Sequence, residues 1–288
     1  MRRGGRQRLD QLLVERGLFA SRERARAAIM AGLVEVAGRR VDKAGTPVDP
    51  EVPVKVRGEA VPYVSRGGLK LARALEVFSI PVEGRVAIDV GASTGGFTEV
   101  LLRHGARLVY AVDVGYGQLA WKLRQDRRVV VLERTNIRHL DPSRLPVAPD
   151  LATVDTSFIS VRLFLPHLLS LLRHPADLVI LVKPQFEAGR GEVGKKGVVR
   201  DPAVHREVLV RLAESAAGAG ATWAGFTFSP VAGPEGNLEF LMHLKTGEDW
   251  TSPVAVPLPA NLAVEAERVV AAAHAQVAGE GKGTPRTE

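Results

Sequence analysis

Residues Asp89–Thr98 read D-V-G-A-S-T-G-G-F-T, directly after the apolar run Val86-Ala87-Ile88 and directly before Glu99-Val100-Leu101-Leu102. A short strand, a glycine-rich turn and a helix start form an arrangement that binds nucleotide-like cofactors. Glycines there let the backbone pass close to the ligand. The dinucleotide fingerprint G-x-G-x-x-G, aligned on Gly91, requires glycine at 93 and 96. Gly96 fits, but position 93 is Ser93. The second glycine admits the pyrophosphate, so a cofactor without one, such as S-adenosylmethionine, does not need it. Val109-Tyr110-Ala111-Val112-Asp113 is a further strand run that ends in an acid able to accept ribose hydroxyls in either cofactor class. Asp113 supports a nucleoside ligand without choosing between them.

A chain of 288 residues favours about two domains. Hydrophobic residues at 45% suffice for a buried core, and 25% charged residues is ordinary for a globular protein. The absence of cysteine excludes disulfides, zinc–thiolate sites and thiol nucleophiles. No apolar run approaches the ~20 residues of a membrane-spanning helix. The basic start MRRGGRQRLD lacks the apolar segment of a signal peptide, so a cytoplasmic location is expected. Charge is unevenly spread. Residues 1–58 hold 13 Lys and Arg against 7 Asp and Glu, and the rest hold 26 against 25. A basic N-terminal module joined to a near-neutral domain points to a polyanionic partner, nucleic acid or an anionic membrane surface.

In that module Leu9, Leu12 and Leu13 share one helical face, and Gly17 closes the helix. Ser21 is placed to cap a second helix, 22–31, stopped by Gly32. Arg22 and Arg26 lie one turn apart with Arg24 across from them, while Ala25, Ala28 and Ile29 face inward. Short alternating runs at 33–36, 41 and 52–56 complete two helices on a small β ribbon. From Ala72 onward strand-like runs recur at 87–90, 108–112, 129–132, 151–154, 178–182, 223–228 and 238–244. Helix-like stretches such as 163–172 and 203–217 lie between them. The pattern predicts an α/β fold, a doubly wound, mainly parallel seven-stranded Rossmann-like sheet behind a small α+β N-terminal domain. Ligands bind at the carboxyl ends of such strands, where Gly91, Asp113, Asp155 and Lys183 should converge on one crevice. The tail from Gly279 is expected to be disordered.

Four charged residues stand at unexpected places. Asp155 ends Leu151-Ala152-Thr153-Val154, and Lys183 ends Leu178-Val179-Ile180-Leu181-Val182. Glu239 lies in GNLEFLMHL at the start of the last strand run, and Lys70 follows Ser65-Arg66-Gly67-Gly68-Leu69. Burial and neighbouring cations lower a lysine's pKa, and a lysine so tuned serves as a base or holds a developing oxyanion. A structural salt-bridge network is the competing explanation.

The motifs DVGASTGGFT, YAVDVGYGQLAW, VLERTNIRHL, VDTSFIS, LVKPQFEAG and GPEGNLEFL together closely resemble the TlyA proteins, related to the FtsJ/RrmJ group of methyltransferases. The resemblance runs from about Leu9 to Leu244. It implies a ribosomal RNA 2′-O-ribose methyltransferase, with cytidine as acceptor in the small-subunit 16S RNA, the large-subunit 23S RNA or both. Its N-terminal segment resembles the RNA-binding module first seen in the fourth small-subunit ribosomal protein. The resemblance implies a catalytic tetrad at Lys70, Asp155, Lys183 and Glu239. It places S-adenosyl-L-methionine against Asp89, Gly91, Ser93, Gly95, Gly96 and Phe97, with Asp113 on the ribose and Asn136 near the adenine. Domains are drawn as 1–58 for RNA binding, 59–64 as linker, 65–247 for methyl transfer and 248–288 as an extension. Where TlyA sequences often carry Trp before Val-Ser-Arg-Gly, this chain has Tyr63, so a different packing of the linker is expected.

The implied reaction is in-line methyl transfer to a ribose 2′-oxygen, with no metal needed because the donor is already activated. Lys183 would take the proton or stabilise the alkoxide, and Asp155 would orient it. Lys70 and Glu239 would position the ribose. The segment 186–200, with four glycines and four basic residues, is a candidate lid. RNA is expected to meet Arg8, Arg22, Arg24, Arg26, Arg66, Arg190, Lys195 and Lys196, largely through phosphates. Three alternatives compete. They are an NAD-linked oxidoreductase, a membrane-active haemolysin (a name also given to TlyA-like proteins) and a non-catalytic RNA-binding ribosome-assembly factor.

Overall fold

The computed structural model describes residues 6–19, 21–30, 32–56, 62–189, 191–194 and 196–280, without the side chains at 23, 24, 27, 279 and 280. The N-terminal module comprises β1 (Gln7–Arg8), α1 (Leu9–Glu15), α2 (Arg22–Met30), β2 (Val34–Val36), β3 (Arg39–Arg40), β4 (Pro47–Val48) and β5 (Val54–Val56). β3, β2 and β5 form an antiparallel sheet, and β1 pairs with β4. Leu9, Leu12, Leu13, Ala25, Ala28, Ile29 and Val34 form its core, as the helical spacing predicts. Gly17 and Gly32 follow the two helices in the left-handed conformation that ends them, both at φ +68°. Asp10 is fully buried beneath the helix pair. Burial pushes its carboxyl up, but hydrogen bonds from Arg8 (3.0 Å) and Arg22 (3.1 Å) bring it below its ordinary value.

The larger domain opens with α3 (Gly67–Phe78), followed by β6 (Val86–Val90), α4 (Gly96–Arg103), β7 (Leu108–Val112), α5 (Trp121–Arg124) and β8 (Val129–Leu132). β9 (Leu151–Val154), α6 (Leu165–Ser170), β10 (Ala176–Val182), α7 (Pro184–Glu187), α8 (Pro202–Gly218), β11 (Thr222–Phe228), β12 (Phe240–Thr246) and α9 (Leu262–Glu280) complete it. The seven strands lie in the order β11-β12-β10-β9-β6-β7-β8. All run parallel except β12, which is antiparallel to both of its neighbours. Alternate residues face opposite sides. Ile88, Ile180 and Met242 join one apolar layer with residues of α6, α8 and α9. Ala87, Leu181 and Leu241 join the other with Leu71 and Leu75 of α3 and Val100 and Leu101 of α4. From β6 the chain builds outward through β7 and β8, then returns to β9 on β6's other side. This reversal opens a crevice at the strand ends, as the doubly wound reading requires.

Three expectations need adjustment. The last strand begins at Phe240 rather than Leu238, so Glu239 immediately precedes it. The 163–172 stretch is a 3₁₀ turn, Val161–Leu163, followed by the short α6. The extension forms the long helix α9, which buries Leu262, Ala266, Val269, Val270 and Ala273 and includes Gly279 and Glu280. The rest of the expected disordered tail, 281–288, lies outside the described residues.

At the amino ends of the strands Arg85 bonds Asp150 (3.0 Å) and Asp177 (2.6 Å), and His243 donates to Asp177 at 2.8 Å. Burial raises the Asp177 pKa, but the bonds from His243 and Arg85 outweigh it and hold it at about 2. Its ordinary value is about 3.9, so the stabilisation is complete above about pH 4 and is lost as pH falls towards 2. In urea denaturation the stability gap between wild type and Asp177→Asn should therefore narrow by about 2 kcal/mol over that interval. A gap independent of pH would show that Asp177 is not held this way.

Candidate active site

The glycine turn is built around a buried carboxyl. Asp89, at 0% exposure, accepts hydrogen bonds from Thr98 (2.6 Å) on α4 and Thr153 (3.0 Å) on β9. Burial raises its pKa to about 7, with the two hydroxyls acting against the rise. Gly91 adopts φ +86°, and a β-carbon there would collide with the backbone carbonyl of Asp155. A β-carbon at Gly96 would run into Ser65 Oγ, so α3 and α4 approach closely through that position. Ser93 itself takes the left-handed conformation, at φ +47°, which a glycine would adopt more readily. The serine thus leaves the path of the turn unchanged and adds a side chain, whose hydroxyl bonds Gln118 at 3.2 Å.

A cavity of about 450 Å³ opens beside this turn, lined by Gly91, Ser93, Asp113, Asn136, Asp155 and Phe158 among others. Asp113 accepts backbone N–H bonds from Ser93 (2.8 Å) and Gly115 (2.6 Å). A carboxylate has about four acceptor positions, so capacity remains for ribose hydroxyls. Asn136 is exposed, and its Oδ1 caps the following 3₁₀ turn by accepting from Arg138 N–H at 3.0 Å. Asp89 and Gly95 line none of the described cavities. Asp89 is buried behind the turn, and Gly95 abuts Leu119 and Leu123.

The second cavity, about 310 Å³, is lined by Lys70, Asp155, Lys183 and Glu239, with Arg66 and Phe97. It shares Gly91, Ser93 and Asp155 with the first. Lys183 Nζ lies 2.6 Å from Asp155 Oδ1 and donates to Ser157 Oγ at 3.0 Å. Lys70 forms a close buried ion pair with Glu239 Oε2. The four residues therefore form two lysine–carboxylate pairs facing one space. Glu239 Oε1 is buried without a protein partner, as is Thr156 Oγ1 beside Asp155. Glu187 of α7 accepts bonds from Ser160 (2.6 Å) and the Val161 N–H (2.7 Å), tying the loop after Lys183 to the loop after Asp155.

Sequence reading missed Ser157, though its place two residues past a charged strand end was a signal. It also missed the ring pair Phe158–Phe186, with centroids 5.0 Å apart. Phe158 is 90% exposed, and both rings line a third cavity of about 420 Å³ that shares Lys183. The expected RNA-binding residues divide. Arg8 and Arg22 are each engaged by Asp10, although about half of each side chain stays exposed. Arg26 is exposed, Arg66 is half-buried in the lysine cavity, and Lys196 lines the third cavity. The Arg24 side chain, Arg190 and Lys195 lie outside the described residues. Tyr63 packs over Gly68 with Arg103 above its ring, 5.1 Å from the centroid.

Residues 63–246 match the FtsJ-like methyltransferase family, and residues 7–54 match the S4 domain. YqxC of Bacillus subtilis, named as an rRNA methyltransferase, is 55% identical over 83% of this chain and 85% of its own length. The 16S/23S rRNA (cytidine-2′-O)-methyltransferase TlyA of Mycobacterium tuberculosis is 48% identical over 85% of this chain and 91% of its own. The chain belongs to the TlyA family of FtsJ-like methyltransferases. A solved Streptococcus thermophilus structure, titled as a hemolysin, superposes with a TM-score of 0.75 at 45% identity, covering 96% of this chain and 99% of that one. Among the described residues no helix is long and apolar enough to cross a membrane.

The buried pair yields a stability test. Lys70→Met leaves Glu239 buried and unpaired and should cost roughly 3 kcal/mol in urea denaturation, most of it recovered in Lys70→Met/Glu239→Leu. Additive losses would show that the two side chains do not depend on each other.

Proposed function

We propose that this chain transfers a methyl group from S-adenosylmethionine to a ribose 2′-oxygen of ribosomal RNA, with cytidine as acceptor. The observation that carries this reading is the pair of lysine–carboxylate contacts, Lys183–Asp155 and Lys70–Glu239, around one cavity that joins the glycine-turn cavity at Gly91 and Asp155. The acceptor class rests on the relatives' names, one of which gives both 16S and 23S RNA and another 23S RNA alone. The S4 domain match supports RNA as the partner, and a ribosomal RNA substrate supports a cytoplasmic location.

The glycine-turn cavity suits the cofactor. Asp113 has acceptor capacity left for ribose hydroxyls, Gly91 lines the cavity with bare backbone packed on the Asp155 carbonyl, and Thr156 Oγ1 is a buried hydroxyl without a protein partner. When bound, S-adenosylmethionine supplies an electrophilic methyl group. The protein's own tasks are alignment and the handling of one proton. Lys183, fixed by Asp155 and Ser157, presents its remaining N–H to the acceptor oxygen and lowers the cost of negative charge there, while the hydroxyl proton passes to solvent as the oxygen–methyl bond forms and the sulfur–methyl bond breaks. Asp155 belongs to both cavities and so links the position of Lys183 to the turn that holds the donor. Lys70 anchors Glu239, whose free Oε1 is available to hold a ribose hydroxyl.

Lys183→Ala should reduce methyl transfer to ribosomal RNA at least about 100- to 1,000-fold, the scale of losing one oxyanion donor. Calorimetric affinity for S-adenosylmethionine should be unchanged. Near-normal turnover in that variant would remove Lys183 from the reaction.

A further inference from the structure

A cavity of about 560 Å³ lies between the two domains, lined by Arg22, Arg26 and Met30 of α2 and by Thr94, Trp121 and Arg124 of the methyltransferase domain. It adjoins the lysine cavity, since Met30 and Thr94 line both. Its described lining holds three arginines and no acidic side chain. Arg26 makes no hydrogen bond or ion pair among the described residues, which leaves its guanidinium available to a ligand.

Trp121 is the anomaly here. It begins α5, yet the residue is 66% exposed, while Leu119 (6%) and Leu123 (4%) make the core contacts of that segment. The segment is fixed without it. Lys122 bonds Glu99 at 2.8 Å, and Glu133 pairs with Arg124 and accepts from the Gly117 N–H at 2.9 Å. Folding leaves the indole unused, on a rigid support, facing a basic cavity next to the acceptor site. An aromatic face combined with an unpaired cation such as Arg26 recognises an unpaired base and its phosphate.

We infer that this interdomain cleft binds an unpaired nucleotide of the RNA strand flanking the acceptor, its base stacked on Trp121 and its phosphate on Arg26. The inference rests on the ribosomal RNA reading above and adds a site on that strand. An acceptor must leave its helix to reach a recessed pocket, and such extrusion leaves neighbouring bases unstacked. A stacking platform beside the pocket compensates for that loss. It also makes α2 part of the substrate path, so the N-terminal domain guides the strand as well as anchoring it.

Steady-state methyl transfer to ribosomal RNA, calorimetry with S-adenosylmethionine, and tryptophan fluorescence with a single-stranded RNA oligonucleotide test this together. Stacking strength predicts that Trp121→Ala raises KM for RNA about 5- to 150-fold. Cofactor affinity should hold, and Trp121→Phe should restore most of the RNA affinity. RNA should quench the wild-type fluorescence but not that of Trp121→Phe, in which only Trp223 and Trp250 remain. Arg26→Ala should reduce the salt dependence of RNA binding by about one phosphate contact. An unchanged KM in Trp121→Ala, or quenching that persists in Trp121→Phe, overturns the inference. So does an equal loss of cofactor affinity in Trp121→Ala, which would make Trp121 a support of the glycine turn. Quenching by cytidine monophosphate as tight as by the strand would make this a mononucleotide site and also overturn it. A wild-type protein that is quenched by RNA through Trp121 but transfers no methyl group would refute the catalytic reading and leave the cleft standing.

Discussion

No side chain fits at Gly91, because the backbone carbonyl of Asp155 occupies the space a β-carbon would need. That close approach brings the turn after β6 against the end of β9. Asp89 reinforces it from below by accepting hydroxyls from α4 and from β9. Asp155 in turn holds Lys183 at the end of β10. The ends of three neighbouring strands are thereby fixed to one another, and the two cavities on the proposed reaction path meet at Gly91 and Asp155. Donor and acceptor alignment at short range requires such rigidity.

Charged networks occupy both ends of the sheet, and their chemistry differs. At the amino ends Arg85, Asp150, Asp177 and His243 satisfy one another, and Phe78 packs on the His243 ring at 5.2 Å. That cluster stabilises the fold. At the carboxyl ends the two lysine–carboxylate pairs face open space, and Glu239 Oε1 and Thr156 Oγ1 have no protein partner. Unsatisfied buried polar atoms cost stability, so their concentration beside a cavity marks a surface shaped for a ligand.

The strand framework was legible because the runs ending at Val90, Val112, Val154 and Val182 are nearly pure apolar segments, each stopped by glycine or charge. Asp155 and Lys183 could be placed at adjacent strand ends for the same reason. The pairing of Lys70 with Glu239 could not be read, since 169 positions separate them and only the packing of α3 beside β12 brings them together. The start of β12 was misjudged because Leu238 continues the apolar pattern. Buried Asn237 instead accepts from Val199 N–H at 3.2 Å and donates to Gly197 O at 3.0 Å, holding that segment out of the strand. Helix α9 was missed because its alanine-rich repeat carries little periodic contrast. Arg8 and Arg22 read as free cations because nothing local revealed that Asp10 would be buried between them.

The most direct measurement is the chemical position of the transferred methyl group. Ribosomal RNA labelled by the purified protein with radioactive S-adenosylmethionine can be digested with alkali, which spares a phosphodiester only where the 2′-oxygen is blocked. Transfer to the 2′-oxygen of cytidine leaves the label in alkali-resistant dinucleotides beginning with cytidine. Label recovered on the base of an alkali-sensitive nucleotide would contradict it.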